Sequence, residues 1–378
     1  MAIEIRTHTP GRDIEDFIRA AHVVFADDPQ WVAPLHMMIS EQLTPKKNPL
    51  FEHAEAALFT AWKDGQLAGR VSASIDQEHL KRYDDATGFF GFFDTTDDPE
   101  VARKLIDAAE AWLKTRGMRR MRGPLSMSIN EEVGLLVQGF DYPPMLMMAH
   151  SRAYQGALAE ACGLQKAKDL LAWRYVVGDL PPRVQRALDQ AKELPEVRLR
   201  TADMKNLDAE IKAVLEIQDD AWRDNWGHVS ATPNEGRAVA EALKLVLKEE
   251  LAIIAEIDGE AAGMCWAVPN LNEAIRDLDG KLFPVGWAKL LWRMKARTPK
   301  TARLIMLGLK KQHRHVKRYG SLALAMVAQM ALNGREIGIE WGELSWTLED
   351  NAPVNVMIKT MHGEVYKRYR IYEKSLEA

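Results

Sequence analysis

Two short turns constrain this chain more than any other feature. Lys63-Asp64-Gly65-Gln66 separates the apolar runs 56–62 (AALFTAW) and 68–74 (AGRVSAS), and Asp258-Gly259-Glu260 separates 251–257 (LAIIAEI) and 262–268 (AGMCWAV). An Asp-Gly pair between such runs favours a two-residue hairpin turn, because both central residues take positive φ. A strand over 3–5 and a helix from 13 to 25 precede the first hairpin. A strand over 88–93, a helix over 99–116, a strand and loop within 123–148 and a helix over 153–163 follow it. The second hairpin is preceded by a strand over 197–200 and helices over 208–221 and 235–249. After it come a strand over 303–309, a helix over 319–333, a strand over 339–346 and a helix over 352–361. The Lys- and Glu-rich stretch 181–196 reads as a connection. The expected fold is α/β, with two related domains, 1–180 and 181–378, each a mixed central sheet flanked by helices.

No run of eighteen apolar residues is present to span a bilayer, and the first seventeen residues lack the apolar core of a signal peptide, so the expected compartment is the cytoplasm. Cys162 and Cys265 are far apart in apolar segments, which argues against a disulfide framework or a metal centre. The net charge of -4 hides an asymmetry: residues 280–335 contain no Asp or Glu but thirteen Lys and Arg, Lys295 and Arg297 among them. Such a window attracts polyanions: a phosphorylated co-substrate, an anionic membrane surface or nucleic acid. Nucleic acid is not expected, since only Tyr319 offers a ring for stacking within the basic loop.

Within that window, Leu307-Gly308-Leu309 runs into Lys310-Lys311-Gln312-His313-Arg314-His315-Val316-Lys317-Arg318-Tyr319-Gly320-Ser321-Leu322, between a predicted strand and a predicted helix. A helix start with flanking cations is an anion site, and Gly320 permits close backbone approach. The order resembles the GNAT N-acyltransferase superfamily, whose corresponding loop and helix start hold the CoA pyrophosphate. The resemblance implies CoA-binding roles for Leu307, Leu309, Gln312, His313, Arg314, His315, Lys317, Arg318, Gly320 and Ser321. It implies an oxyanion site near Leu307 to Leu309, and Asn351 facing the pantetheine arm. Leu322 departs from the small residue usual there, and Ile358 stands where many relatives carry a thiolate-protonating tyrosine. The equivalent first-half loop, Phe93 through Asp97-Asp98-Pro99, is acidic and repels a pyrophosphate, so one CoA site per chain is expected, in the second half.

Residues 139–144 (GFDYPP), the neighbouring methionines, and the tail segments 346–351 (WTLEDN) and 366–374 (YKRYRIYEK) resemble a narrower group. This is the YghO-like branch, which is similar to bacterial ceramide synthases. The likeness implies acyl-CoA as co-substrate, no tightly bound cofactor, and transfer of a fatty acyl group to the amine of a sphingoid base. Amide formation needs a proton acceptor, for which the candidates are Glu131 or Glu132, His150 and Glu343. Ser128 and Asn130 are candidates to orient the acceptor, and Met145 and Met147 to line an acyl chain. The segment 283–295 sets Trp287 and Trp292 among cations, as in helices that lie in a membrane interface, so peripheral association with an anionic membrane is expected. Two other readings stand beside this one: an acetyl-CoA-dependent acetyltransferase of a small amine or protein lysine, and a non-catalytic lipid- or nucleic-acid-binding module.

Overall fold

A computed structural model describes residues 2–243, 246–296 and 299–377. Within the basic window, Arg297 and the side chain of Lys295 lie outside the described residues, as do Lys244 and Leu245 of the helix expected over 235–249. The chain forms two compact units. The first contains residues 1–170, 275–283 and 367–378, and the second contains 171–274 and 284–366.

In the first unit, β1 (Ile3–His8), β2 (Ala54–Lys63), β3 (Gln66–Asp76) and β4 (Thr87–Thr95) are antiparallel in sequence order. β5 (Arg120–Gly123) then pairs parallel with β4. The turn between β2 and β3 has Asp64 at φ 51° and Gly65 at φ 80°, the double positive φ expected of the Asp-Gly pair. Alternation along β2 sends Ala57, Phe59 and Ala61 to one face and Leu58 to the other. On the first face, helix Pro99–Lys114 buries Val101, Ala102, Leu105, Ile106, Ala109 and Leu113, a stripe of helical period. On the second, Phe17 and Ile18 of helix Glu15–Val24 pack with Leu58, Phe92 and Met127. Short strands β6 (Leu125–Ser126), β7 (Glu132–Val133) and β8 (Leu135–Gln138) follow β5.

The second unit repeats this order. After β9 (Gln165–Val176), which begins in the first unit, come β10 (Val197–Thr201), β11 (Ala252–Ile257), β12 (Glu260–Pro269) and β13 (Thr301–Leu309), the last four antiparallel in sequence order. β14 (Trp341–Leu348) pairs parallel with β13. Helix Leu207–Trp222 covers one face, against Ile254, Met264 and Trp266. Helices Pro182–Glu193 and Leu322–Glu336 cover the other, against Ile253, Cys265 and Leu304. Residues 181–196 are therefore not a connection: Val184, Ala187, Leu188 and Ala191 form a buried stripe that the surrounding charges had masked. A final strand, β15 (Glu364–Ser375), begins in the second unit and ends in the first, where its last residues pair antiparallel with β5.

Candidate functional site

The second unit's sheet parts at β13 and β14. Their parallel ladder runs from Thr301↔Trp341 to Leu304↔Leu344, yet β13 continues to Leu309 and β14 to Leu348. A register shift opposite Trp266/Ala267 turns β13 at the same level. Beyond the last rung, two carbonyls of β13 are taken by side chains: Trp222 Nε1 donates to Leu307 O at 2.9 Å, and Arg314 Nε to Leu309 O at 2.7 Å. The N–H and C=O of a strand residue point to the same side. The N–H groups of Leu307 and Leu309 therefore open into the gap, as donors suited to a developing oxyanion.

The basic loop folds as two short turns, Lys311–Arg314 and Lys317–Tyr319, before helix Leu322–Glu336. The N-cap residue is Ser321, and its side chain accepts no hydrogen bond from the first turn. Gly320 lies exposed, with only the Lys317 carbonyl near a would-be Cβ, at 3.3 Å. The helix start is thus uncapped and approachable, as an anion site requires. The acid-free window does not present a uniformly positive face, because acids from elsewhere reach into it. Lys300 pairs with Glu340, Lys311 with Asp224, Arg318 with Glu196 and Arg335 with Asp179. Arg314 also donates to the Ala221 carbonyl, so it pins the loop rather than facing solvent with its whole fork. Gln312 and His313 hydrogen-bond each other at 3.0 Å. Among the described residues, His315 and Lys317 are exposed with no side-chain partner, and they flank the helix start.

At the last rungs of the ladder lies a buried polar cluster. Glu343 is 0% exposed and accepts from Ser345 Oγ and from the Tyr366 hydroxyl. Arg303, its partner in register, donates to Ser345 Oγ at 2.9 Å and lies 3.7 Å from the Glu343 carboxylate. Burying a carboxylate is costly unless it is paired and hydrogen-bonded, and here it is both. Tyr366 is half-buried, with its ring against Trp341. Asn351 is the N-cap residue of helix Ala352–Thr360, and Ile358 is buried at 2% exposure. The sequence offers Glu343 as one of several candidate proton acceptors, and Arg303 is not among the candidates. A signal was present: each is a charge inside an apolar strand, and the two strands were adjacent in the expected order.

The first unit has a corresponding parting, but its own chain fills it. The β4–β5 ladder ends at Phe89↔Arg122. Beyond it, a Cβ at Gly91 would overlap the Leu125 carbonyl, while Gln155 and Tyr154 donate to the carbonyls of Phe93 and Thr95. At the start of helix Pro99–Lys114, the Asp98 carboxylate accepts from the N–H groups of Glu100 and Val101 and from Lys63. The place of an external anion is taken by a side chain.

The remaining predicted residues lie in the first unit. Glu131 sits in the bend before β7 and accepts from Gln42; Glu132 begins β7 opposite Ser126. Ser128 Oγ accepts from the Asn130 N–H at 3.1 Å. Met145 is buried, and Met147 is half-buried at φ 59°. His150 Nε2 donates to Asp28 at 2.9 Å, and its buried Nδ1 has no partner among the described residues. Burial holds the imidazole below its ordinary pKa, against the opposing pull of Asp28. Asp28 is 122 residues away, and no local pattern announces it. Trp287 and Trp292 lie in the second unit on helix Gly286–Ala296, with 49% and 61% of their surface exposed.

No family model matches the chain. It is 43% identical over 375 residues to the protein named bacterial ceramide synthase of Caulobacter vibrioides, covering 98% of this chain and 97% of that one. It is 38% identical over 374 residues to protein YghO of Escherichia coli, covering 98% and 95%. Among solved structures, a tandem GNAT protein from the clavulanic acid biosynthesis pathway superposes with a TM-score of 0.59 at 11% identity, over 100% of this chain and 99% of that one. A GCN5-related N-acetyltransferase from Sphaerobacter thermophilus gives 0.55 at 14% identity, over 100% and 96%. The chain therefore has the fold of tandem GNAT proteins, and by this identity over nearly its whole length it belongs to the family of the Caulobacter bacterial ceramide synthase and YghO.

Proposed function

We propose that this protein transfers a fatty acyl group from acyl-CoA to the amine of a sphingoid base, forming a ceramide-type amide. The carrying observation is the conjunction in the second unit of a parted sheet, an uncapped helix start and a buried carboxylate at the last rung. The 43% identity to a protein named for ceramide synthesis supports the choice of acceptor.

In this reading the CoA pyrophosphate meets the N–H groups at the start of helix Leu322–Glu336, with Lys317 and His315 beside it. The pantetheine arm runs into the parting, where Asn351 begins the helix on its far side. The thioester carbonyl lies against the Leu307 and Leu309 N–H groups, which stabilise the oxyanion when the amine attacks. The new C–N bond leaves a proton on nitrogen. Tyr366 accepts it as its own proton passes to Glu343, and the return of that proton to sulfur releases CoA as a neutral thiol. Tyr366 thus takes the role left open by Ile358. The first unit fills its own anion site and is left free for acceptor recognition, for which Ser128, Asn130, Glu131, Glu132, His150, Met145 and Met147 remain the candidates.

Incubation with palmitoyl-CoA and a sphingoid base should yield the amide by mass spectrometry. Absence of product across a panel of lipid amines would overturn the reading, and turnover of acetyl-CoA without chain preference would move it to a small-amine acetyltransferase.

A further inference from the structure

Among the described residues, five of the twelve exposed large hydrophobic side chains fall within ten positions: Phe283, Val285, Trp287, Leu291 and Trp292. The last three lie on helix Gly286–Ala296 of the second unit. That helix is inverted relative to an ordinary surface helix. Its packed side is Gly286 and Leu290, with Arg293 half-buried and donating to the Ala274 carbonyl at 2.7 Å. At about 100° per residue, Trp287, Leu291, Ala288 and Trp292 share an outward arc of about 140°, and exposed Lys289 follows on one edge. Both indoles face outward, with 49% and 61% of their surface exposed. The Trp287 N–H is already satisfied by the Pro284 carbonyl at 3.1 Å, which removes the polar cost of burying its ring in an apolar phase.

We propose that this face docks on an anionic lipid bilayer, with the two indoles and Leu291 at the level of the headgroups and upper acyl chains and exposed Lys289 at the level of the lipid phosphates. A bilayer fits both halves of the arrangement: it supplies apolar depth for the arc and negative charge for its cationic edge. The helix itself carries no Asp or Glu. No described helix is long and apolar enough to cross a membrane, so docking of this kind lies on the surface. The docking rests on the exposed face alone. Its consequence, that a lipid amine is collected from the membrane in which it dissolves, rests on the acceptor proposed above.

Flotation of the full-length protein with vesicles tests it. The wild type should float with phosphatidylcholine vesicles containing about 30% phosphatidylglycerol, less with phosphatidylcholine alone, and less in high salt. The double variant Trp287→Ala/Trp292→Ala should float about tenfold less, with little change in melting temperature because each residue has about half or more of its surface exposed. Equal flotation of variant and wild type, or no flotation of either, overturns the proposal. So does a concentration-dependent dimer that the same two substitutions abolish, which would assign the face to a second copy of the chain. Melting of both proteins with and without palmitoyl-CoA keeps the questions apart: a missing thermal shift in both counts against the acyl-CoA reading and leaves docking standing.

Discussion

The phenol of half-buried Tyr366 donates to the carboxylate of Glu343, which has no exposed surface at all. On the proposed mechanism, that hydrogen bond is the route by which the amine proton reaches the buried carboxylate. Tyr366→Phe keeps the ring against Trp341 and removes only that hydroxyl. The variant should lose about 10²-fold in kcat with little change in KM for acyl-CoA. A kcat within about twofold of wild type would remove Tyr366 from the proton path.

Ser321 and Asp98 begin corresponding helices, and only Asp98 caps its own. Ser321→Asp should install in the second unit the internal anion that the first already has. Stability should rise by about 0.5–1 kcal/mol, while KM for acyl-CoA should increase at least about tenfold from occupancy of the helix start and charge repulsion. Steady-state kinetics beside thermal melting reads both. A stabilised variant with wild-type KM would place the pyrophosphate elsewhere.

Arg314 and Lys317 separate structure from binding within one loop. Arg314 holds the carbonyls of Leu309 and Ala221, whereas Lys317 is exposed and unpaired among the described residues. Lys317→Glu should raise KM for acyl-CoA about tenfold without shifting the melting temperature; Arg314→Glu should lower both affinity and stability, the latter by about 1–3 kcal/mol. Equal stability of the two variants would contradict the pinning role.

Acid should weaken the first unit in two stages. Burial depresses the pKa of His22, His79 and His150, each against an opposing carboxylate. Their unfolded values are about 6.5, so the unfolded chain binds more protons below that pH. The stability they contribute is complete above about pH 6.5 and is lost as pH falls toward the lower folded values. Burial acts to raise Asp28, but hydrogen bonds from His150 and the Gln30 N–H hold it below the ordinary carboxylate range, so its contribution goes at lower pH still. Melting temperature measured from pH 8 to 5 should fall, and His150→Asn should flatten part of the slope. A rise on acidification would contradict the sign.

The hairpins were legible because their cause is local: Asp64-Gly65 and Asp258-Gly259 both take positive φ whatever packs around them. The helix Pro99–Lys114 was equally plain, since Asp98 and Pro99 are strong start signals and the apolar stripe is unbroken. β15 was harder to read. Lys367, Tyr369 and Ile371 alternate inward between arginines, but a lysine with no exposed surface breaks the expected pattern; its ammonium donates to the Pro143 carbonyl. Candidate site residues divided the same way. The basic loop is contiguous and could be read, whereas Asp28–His150 and Glu343–Tyr366 depend on strands and loops brought together only by folding.

Asp98 also bears on how the two halves meet a changing cell. With a counter-anion built into its sequence, the first unit is complete in every metabolic condition. On the acyl-CoA reading, the second unit is completed only by its donor substrate, and its resistance to heat and proteases then rises with the free donor concentration by mass action. Starvation for acyl-CoA would therefore shorten the lifetime of the unit that binds it.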